Sequence, residues 1–364
     1  MKKIIALALV LAMALCLVAC GGTGSGKTKV TVFWYDESDV YLSSVRDALN
    51  KELDALENVE YDNQYAANDQ SKQLDQIKTA IAGGSKILVV NMVTSGASDT
   101  AEDIISAAGD IPVIFFNRAI GTDGSEIPVL EGHEKVAFIG TDAPAAGHMQ
   151  GEMIGAYLLE HYDDVDLNGD GVISYAMMKG DEANIEAIYR TQYGAEDANA
   201  ALVAAGKPEM QYFDPSNPDK YQVDQGGAWS AAAAKEYMDT NFVTYNEANN
   251  NMIELVICNN DGMAEGVIAT LQEKGYNKEG AHVVPVFGVD ATDNAKSLIA
   301  EGAMSGTVKQ DAEGMASAIA QTVKAVAGGT GPKEALASLK DSRFSLAPEC
   351  AAKLYVAYAP YTGE

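Results

Sequence analysis

The sequence predicts an α/β protein built as two doubly wound parallel-sheet lobes. Three observations lead there. Short apolar runs alternate with helix-like segments from residue 29 onward, the pattern of repeated βα units and parallel sheets. The runs 86–90 (Lys86-Ile-Leu-Val-Val90) and 112–116 (Pro112-Val-Ile-Phe-Phe116) are apolar almost throughout, as strands covered by helices on both faces must be. Finally, 364 residues carry too many such units for one comfortable sheet and correspond to roughly two domains of about 150 residues each.

In chain order, residues 1–20 read as a signal peptide. Lys2 and Lys3 form a basic start, 4–15 is an apolar run too short to span a bilayer comfortably, and Leu17-Val18-Ala19-Cys20 matches the bacterial lipobox. Cys20 is thus the expected lipidation site, anchoring the chain outside the cytoplasm on the cell membrane. Residues 21–28 (Gly-Gly-Thr-Gly-Ser-Gly-Lys-Thr) match a phosphate-binding loop in letters. A strand follows where a helix is required, so a flexible Gly/Ser tether is the expectation.

Strands are expected at 30–34, 86–90, 112–116, 136–139, 172–178, 209–213, 253–258, 283–288 and 304–308. A helix is expected over 41–56 from the spacing of Leu42, Val45, Leu49, Leu53 and Leu56. Ligands of doubly wound sheets bind beyond the carboxyl ends of strands. There stand Asn117, Asn259-Asn260-Asp261 and Asp290. Turn and N-cap chemistry explains each singly; three together favour a polar cleft.

Composition narrows the function. A formal net charge of −27 argues against nucleic acid and against electrostatic attachment to anionic lipid, both of which need basic surface. Of the four cysteines, Cys16 is discarded with the leader and Cys20 is lipidated. Cys258 and Cys350 are expected as free thiols rather than a bridge. His133, His148, His161 and His282 are scattered without ligand spacing and are read as non-functional.

Residues 166–174 (Asp166-Leu-Asn168-Gly-Asp170-Gly-Val172-Ile-Ser174) match a calcium loop at positions 1, 3, 5, 6, 7 and 9. The twelfth position, which needs a bidentate Glu, holds Met177, and the segment reads on into a strand. This is therefore not an EF-hand. A structural Ca2+ would need a carboxylate from elsewhere in the chain; the other reading is an Asp/Asn/Gly turn without metal.

Together these residues resemble the periplasmic glucose/galactose-binding proteins, type I binding proteins of ABC importers, over nearly all of 29–358. The most specific stretches are 68–77, 112–117, 166–174 and 286–290. The resemblance implies two lobes joined by a three-crossover hinge, 29–141 plus 310–354 and 142–309 plus 355–364, closing around one hexose. It supplies Glu254 as the missing calcium ligand, and places Ser174 where the family has a longer glutamine.

It also implies that the rings of Tyr41 and Trp229 sandwich the sugar, while Asp39, Asn117, Asn184, Glu186, Arg190, Asn260, Asp290 and Gln310 bind its hydroxyls. Asn184, Glu186 and Gln310 depart from the family's histidine, aspartate and asparagine and reshape one side of the pocket. The implied protein is a monomeric, non-enzymatic sugar binder that passes glucose or galactose to an ABC permease. The alternatives are presentation to a sensory receptor or a different monosaccharide. A carbohydrate hydrolase using Asp39, Glu186 or Asp290 is disfavoured, because nothing marks one carboxylate as a raised-pKa acid.

Overall fold

A computed structural model describes residues 26–122 and 124–363. The leader, Cys16 and the lipobox Cys20 lie outside the described residues. Strand β1 (Thr28–Trp34) begins inside the expected tether, because Thr28 already pairs with Val59.

The first sheet has seven strands in the order β12-β13-β5-β4-β3-β1-β2. They are β1, β2 (Val59–Tyr65), β3 (Ile87–Val90), β4 (Val113–Phe116), β5 (Val136–Gly140), β12 (Phe344–Ala347) and β13 (Cys350–Val356). All neighbours are parallel except β12 and β13. The second sheet runs β14-β11-β10-β9-β6-β7, with β8 also on β6. Its strands are β6 (Ser174–Lys179), β7 (Gln211–Tyr212), β8 (Gln222–Val223), β9 (Leu255–Cys258), β10 (Val286–Asp290), β11 (Gly306–Gln310) and β14 (Tyr358–Tyr361). Only β14 is antiparallel.

Helix α1 (Val40–Asp54) buries Tyr41, Leu42, Val45, Leu49 and Leu53, a one-sided apolar stripe. It packs on one face of the first sheet with α10 (Ala312–Ala327) and α11 (Pro332–Ser338). The other face is covered by α2 (Gln70–Ala82), α3 (Ser98–Ala108) and α4 (Glu126–Gly132). The second sheet is packed by α5 (Ala143–Val165), α6 (Ile185–Ala204), α7 (Ala231–Thr244), α8 (Asp261–Lys274) and α9 (Asp293–Ala300). Gly147 and Gly151 of α5 lie against the carbonyls of Tyr189 and Tyr193. A side chain at either glycine would push α6, and the residues at its start, out of place.

The chain passes between sheets three times, after β5, after β11 and after β13. Two expected boundaries move. Gln310 ends β11 in the second sheet, where it pairs with Tyr358. Strand β13 continues through Val356, held by Phe344, so the last crossing falls at Ala357 instead of 354. Cys258 and Cys350 are buried free thiols in different sheets.

Candidate functional site

The carboxyl ends of both sheets face one cavity between the lobes. It is lined by Tyr35, Asp39, Tyr41, Asn117, Arg118, Asn184, Glu186, Arg190, Trp229, Asn260, Asp290 and Gln310. All ten residues expected at the sugar site are thus brought together, and Tyr35 and Arg118 join them. Tyr35 and Arg118 each stand one residue beyond a feature legible in the sequence, the strand β1 and Asn117, and both lie beyond the carboxyl ends of strands, where ligands of doubly wound sheets bind.

Most of these positions are fixed by local structure. Asp39 caps α1 by accepting from Leu42 N at 2.8 Å. Asn184 caps α6 through Glu186 N at 2.9 Å. Asn260 caps α8 through Met263 N at 2.9 Å, and its amide donates to the Trp229 carbonyl at 3.3 Å. Capping and a cavity-facing position therefore coexist in the same side chains. Asn117, Trp229 and Asp290 have φ of 61°, 56° and 129°, strained conformations that cluster where a surrounding fold holds them.

Arg190 is the hub of the second lobe's wall. Its guanidinium donates to Asn259 O (2.9 Å), Glu186 Oε2 (3.1 Å), Gln310 Oε1 (2.9 Å) and Tyr358 Oη (3.1 Å), and lies 5.7 Å from the Trp229 ring. Thr141 Oγ1 donates to the other oxygen of Glu186 at 2.6 Å. Four buried polar atoms of the cavity residues have no partner within the protein: Tyr41 Oη, Arg118 Nε, Arg190 Nε and Gln310 Nε2. Three are donors only. Burial, then the charge of Asp261 behind it, pushes the Asp290 carboxyl well above the ordinary carboxylate range, so one carboxyl of the cavity is raised where the sequence marked none. Burial, then Asp290, likewise raises the Tyr41 hydroxyl.

The 166–174 loop lies apart from this cavity and exits into β6. Glu254, fully buried just before β9, reaches it. Its two oxygens accept from Asn168 N (3.1 Å) and Ser174 N (2.9 Å). Asp166 Oδ2 accepts from Gly171 N at 2.8 Å, while Asp166 Oδ1 is buried without a partner. Asn168 and Asp170 support their own turn. Among the described residues no group of three or more His, Cys, Asp or Glu side chains stands at metal-ligating spacing. The remote glutamate and the orphaned Asp166 oxygen fit a hard cation.

Residues 30–331 match the sequence profile of the periplasmic binding protein domain. The D-galactose/methyl-galactoside binding periplasmic protein of Haemophilus influenzae is 31% identical over 337 residues, 92% of each chain. An ABC transporter solute binding protein from Clostridium phytofermentans, solved with β-D-glucose, superposes with a TM-score of 0.68 at 20% identity, covering 92% of this chain and 94% of that one. Another from Bacillus halodurans, solved with myo-inositol, gives 0.66 at 22% identity over 94% and 96%.

Proposed function

Since the chain belongs to the periplasmic binding protein domain family, as a sugar-binding member serving ABC import, we propose that its ligand is a hexose, glucose or galactose, captured by closure of the two lobes. The observation that carries this is the pairing of two flat rings with opposed hydrogen-bonding chemistry in one cavity. Tyr41 and Trp229 offer faces to a pyranose's C–H patches. Asp39, Glu186 and Asp290 accept from hydroxyls; Arg190, Asn117, Asn184 and Gln310 donate to their oxygens. The three partnerless donors favour a ligand rich in acceptors, and a neutral polyol satisfies donors and acceptors at once. Asn260 acts here chiefly by holding Trp229.

Binding follows from hinge closure. Sugar first held by one lobe recruits the other, and the closed form is the species offered to the permease. A different monosaccharide is the second reading, favoured by Gln310, whose free amide differs from the family's shorter side chain and sits within the Arg190 network. The family role places the protein outside the cytoplasm; Cys20 would anchor it there through lipid. In the 166–174 loop, Asp166, Asn168, Asp170, the Val172 carbonyl, Ser174 and Glu254 would hold Ca2+, which would tie the loop to β9 and take no part in sugar contact.

Tryptophan emission tests the sugar reading. Trp34 is fully buried against Phe116, so ligand-dependent change reports Trp229. Galactose or glucose should shift emission saturably, and the shift should vanish in Trp229→Phe. A spectrum indifferent to every monosaccharide would refute the reading. For the anchor, Cys20→Ala should release the protein from the membrane fraction.

A further inference from the structure

We infer that Arg118 is a further ligand-binding residue whose ion pair with Asp181 latches the lobes over the bound sugar; this rests on the cavity being a sugar site. Arg118 follows β4 in the first lobe and Asp181 follows β6 in the second. Arg118 Nη2 donates to Asp181 Oδ2 at 3.1 Å, with the two side chains 5% and 20% exposed. Neither residue belongs to a crossing segment, so any opening rotation about the hinge parts them.

Both partners are held in place. The Arg118 guanidinium lies 4.1 Å from the Tyr35 ring centre, and Tyr35 Oη donates to Asp39 Oδ2 at 2.7 Å. Asp181 Oδ1 accepts from Ala183 N at 2.9 Å, leaving its other oxygen for Arg118. A second inter-lobe bond, from Asn68 Nδ2 to Gly226 O at 3.0 Å, closes the same lip.

The guanidinium thus has two ends with different tasks. Nη2 reaches the opposite lobe. Nε, buried and without a protein partner, lies in a residue of the cavity wall. A buried, unpaired N–H is costly until an acceptor is supplied, and a sugar oxygen supplies one. Because the guanidinium is rigid and planar, fixing Nε also fixes Nη2 on Asp181. Ligand contact and lobe closure are then one event, and release requires both to break. A nearly desolvated cross-lobe ion pair acts mainly on the off-rate.

Stopped-flow measurement of sugar association and release decides this. Asp181→Asn should speed release roughly tenfold while association changes far less. The same substitution should add nothing in an Arg118→Met background, and Asp181→Glu should restore slow release. Arg118→Lys, which keeps the charge but lacks Nε, should weaken binding even with Asp181→Asn present. Release from Asp181→Asn at the wild-type rate, or an equal effect with and without Arg118, would overturn the latch. A wild type that binds no sugar would overturn the cavity's reading instead. Small-angle scattering of the sugar-saturated protein reads the latch directly: Asp181→Asn should give a more open profile than the wild type, and identical compact profiles would refute it.

Discussion

Tyr358 Oη donates to Glu186 Oε2 across 2.9 Å, joining the last crossing between the lobes to the wall of the cavity. The same hydroxyl stands 3.0 Å from Thr141 Oγ1, on the first crossing, and accepts from Arg190, which also holds Gln310 beside the second. One phenol therefore touches the site and sits among all three connections. The Glu186–Arg190 pair is thereby tied by hydrogen bonds to residues at or beside the segments that join the lobes.

Tyr358→Phe removes that oxygen and leaves its partners in place. A buried polar group stripped of its partner costs about 1–3 kcal/mol. The denaturant midpoint should fall accordingly, and sugar affinity should drop with it. Unchanged affinity would show that the hinge and the Glu186–Arg190 pair are independent.

Gly180 tests the placement of Trp229. A Cβ at 180 would collide with the indole, and overpacking of this kind costs about 1–3 kcal/mol. Gly180→Ala should weaken sugar binding about tenfold or more while the chain still unfolds cooperatively. Full affinity in that variant would mean the indole is not a sugar-stacking face.

Asp261 should govern part of the pH dependence of stability. Burial raises its carboxyl from 3.8 to about 7, against hydrogen bonds from Thr307 and Thr292 that favour the charged form. The folded chain therefore keeps a proton that the unfolded chain has lost between those values. This group's contribution is full below the unfolded value and is lost as pH rises through about 7. Asp261→Asn keeps the neutral shape at every pH. It should flatten the change in melting temperature between about pH 5 and about pH 8; an unaltered slope would contradict the assignment.

Calcium added to chelator-treated protein should raise the melting temperature, by about 2.7 kcal/mol of added stability at a hundredfold excess over Kd. Asp166→Asn, which keeps an acceptor for Gly171 N, should abolish that gain and leave sugar affinity intact. No thermal shift in the wild type would leave the loop as a turn without metal.

The sequence disclosed what is periodic or local. Leu42, Val45, Leu49 and Leu53 mark α1, and the runs at β3 and β4 are apolar because helices cover both faces. Strand β2 was not legible: its residues Glu60, Asp62, Asn63 and Gln64 are half-buried or exposed at a sheet edge, where no apolar alternation is needed. Strand β14 escaped for a similar reason. The ten residues named for the sugar site line one cavity because strand ends and helix caps position them. Arg118 and Tyr358 owe their places to partners 63 and 172 residues away, Asp181 and Glu186. No local pattern encodes such pairings.

Calorimetric titration of the protein with glucose, galactose, xylose, ribose, arabinose and myo-inositol, with calcium present, reads directly whether the cavity binds sugar and which one. One-to-one heat is expected with glucose or galactose, and little with the others. Heat with another sugar alone would shift the specificity to the Asn184, Glu186 and Gln310 side of the pocket. Silence across the whole panel would mean that the cavity does not hold a monosaccharide.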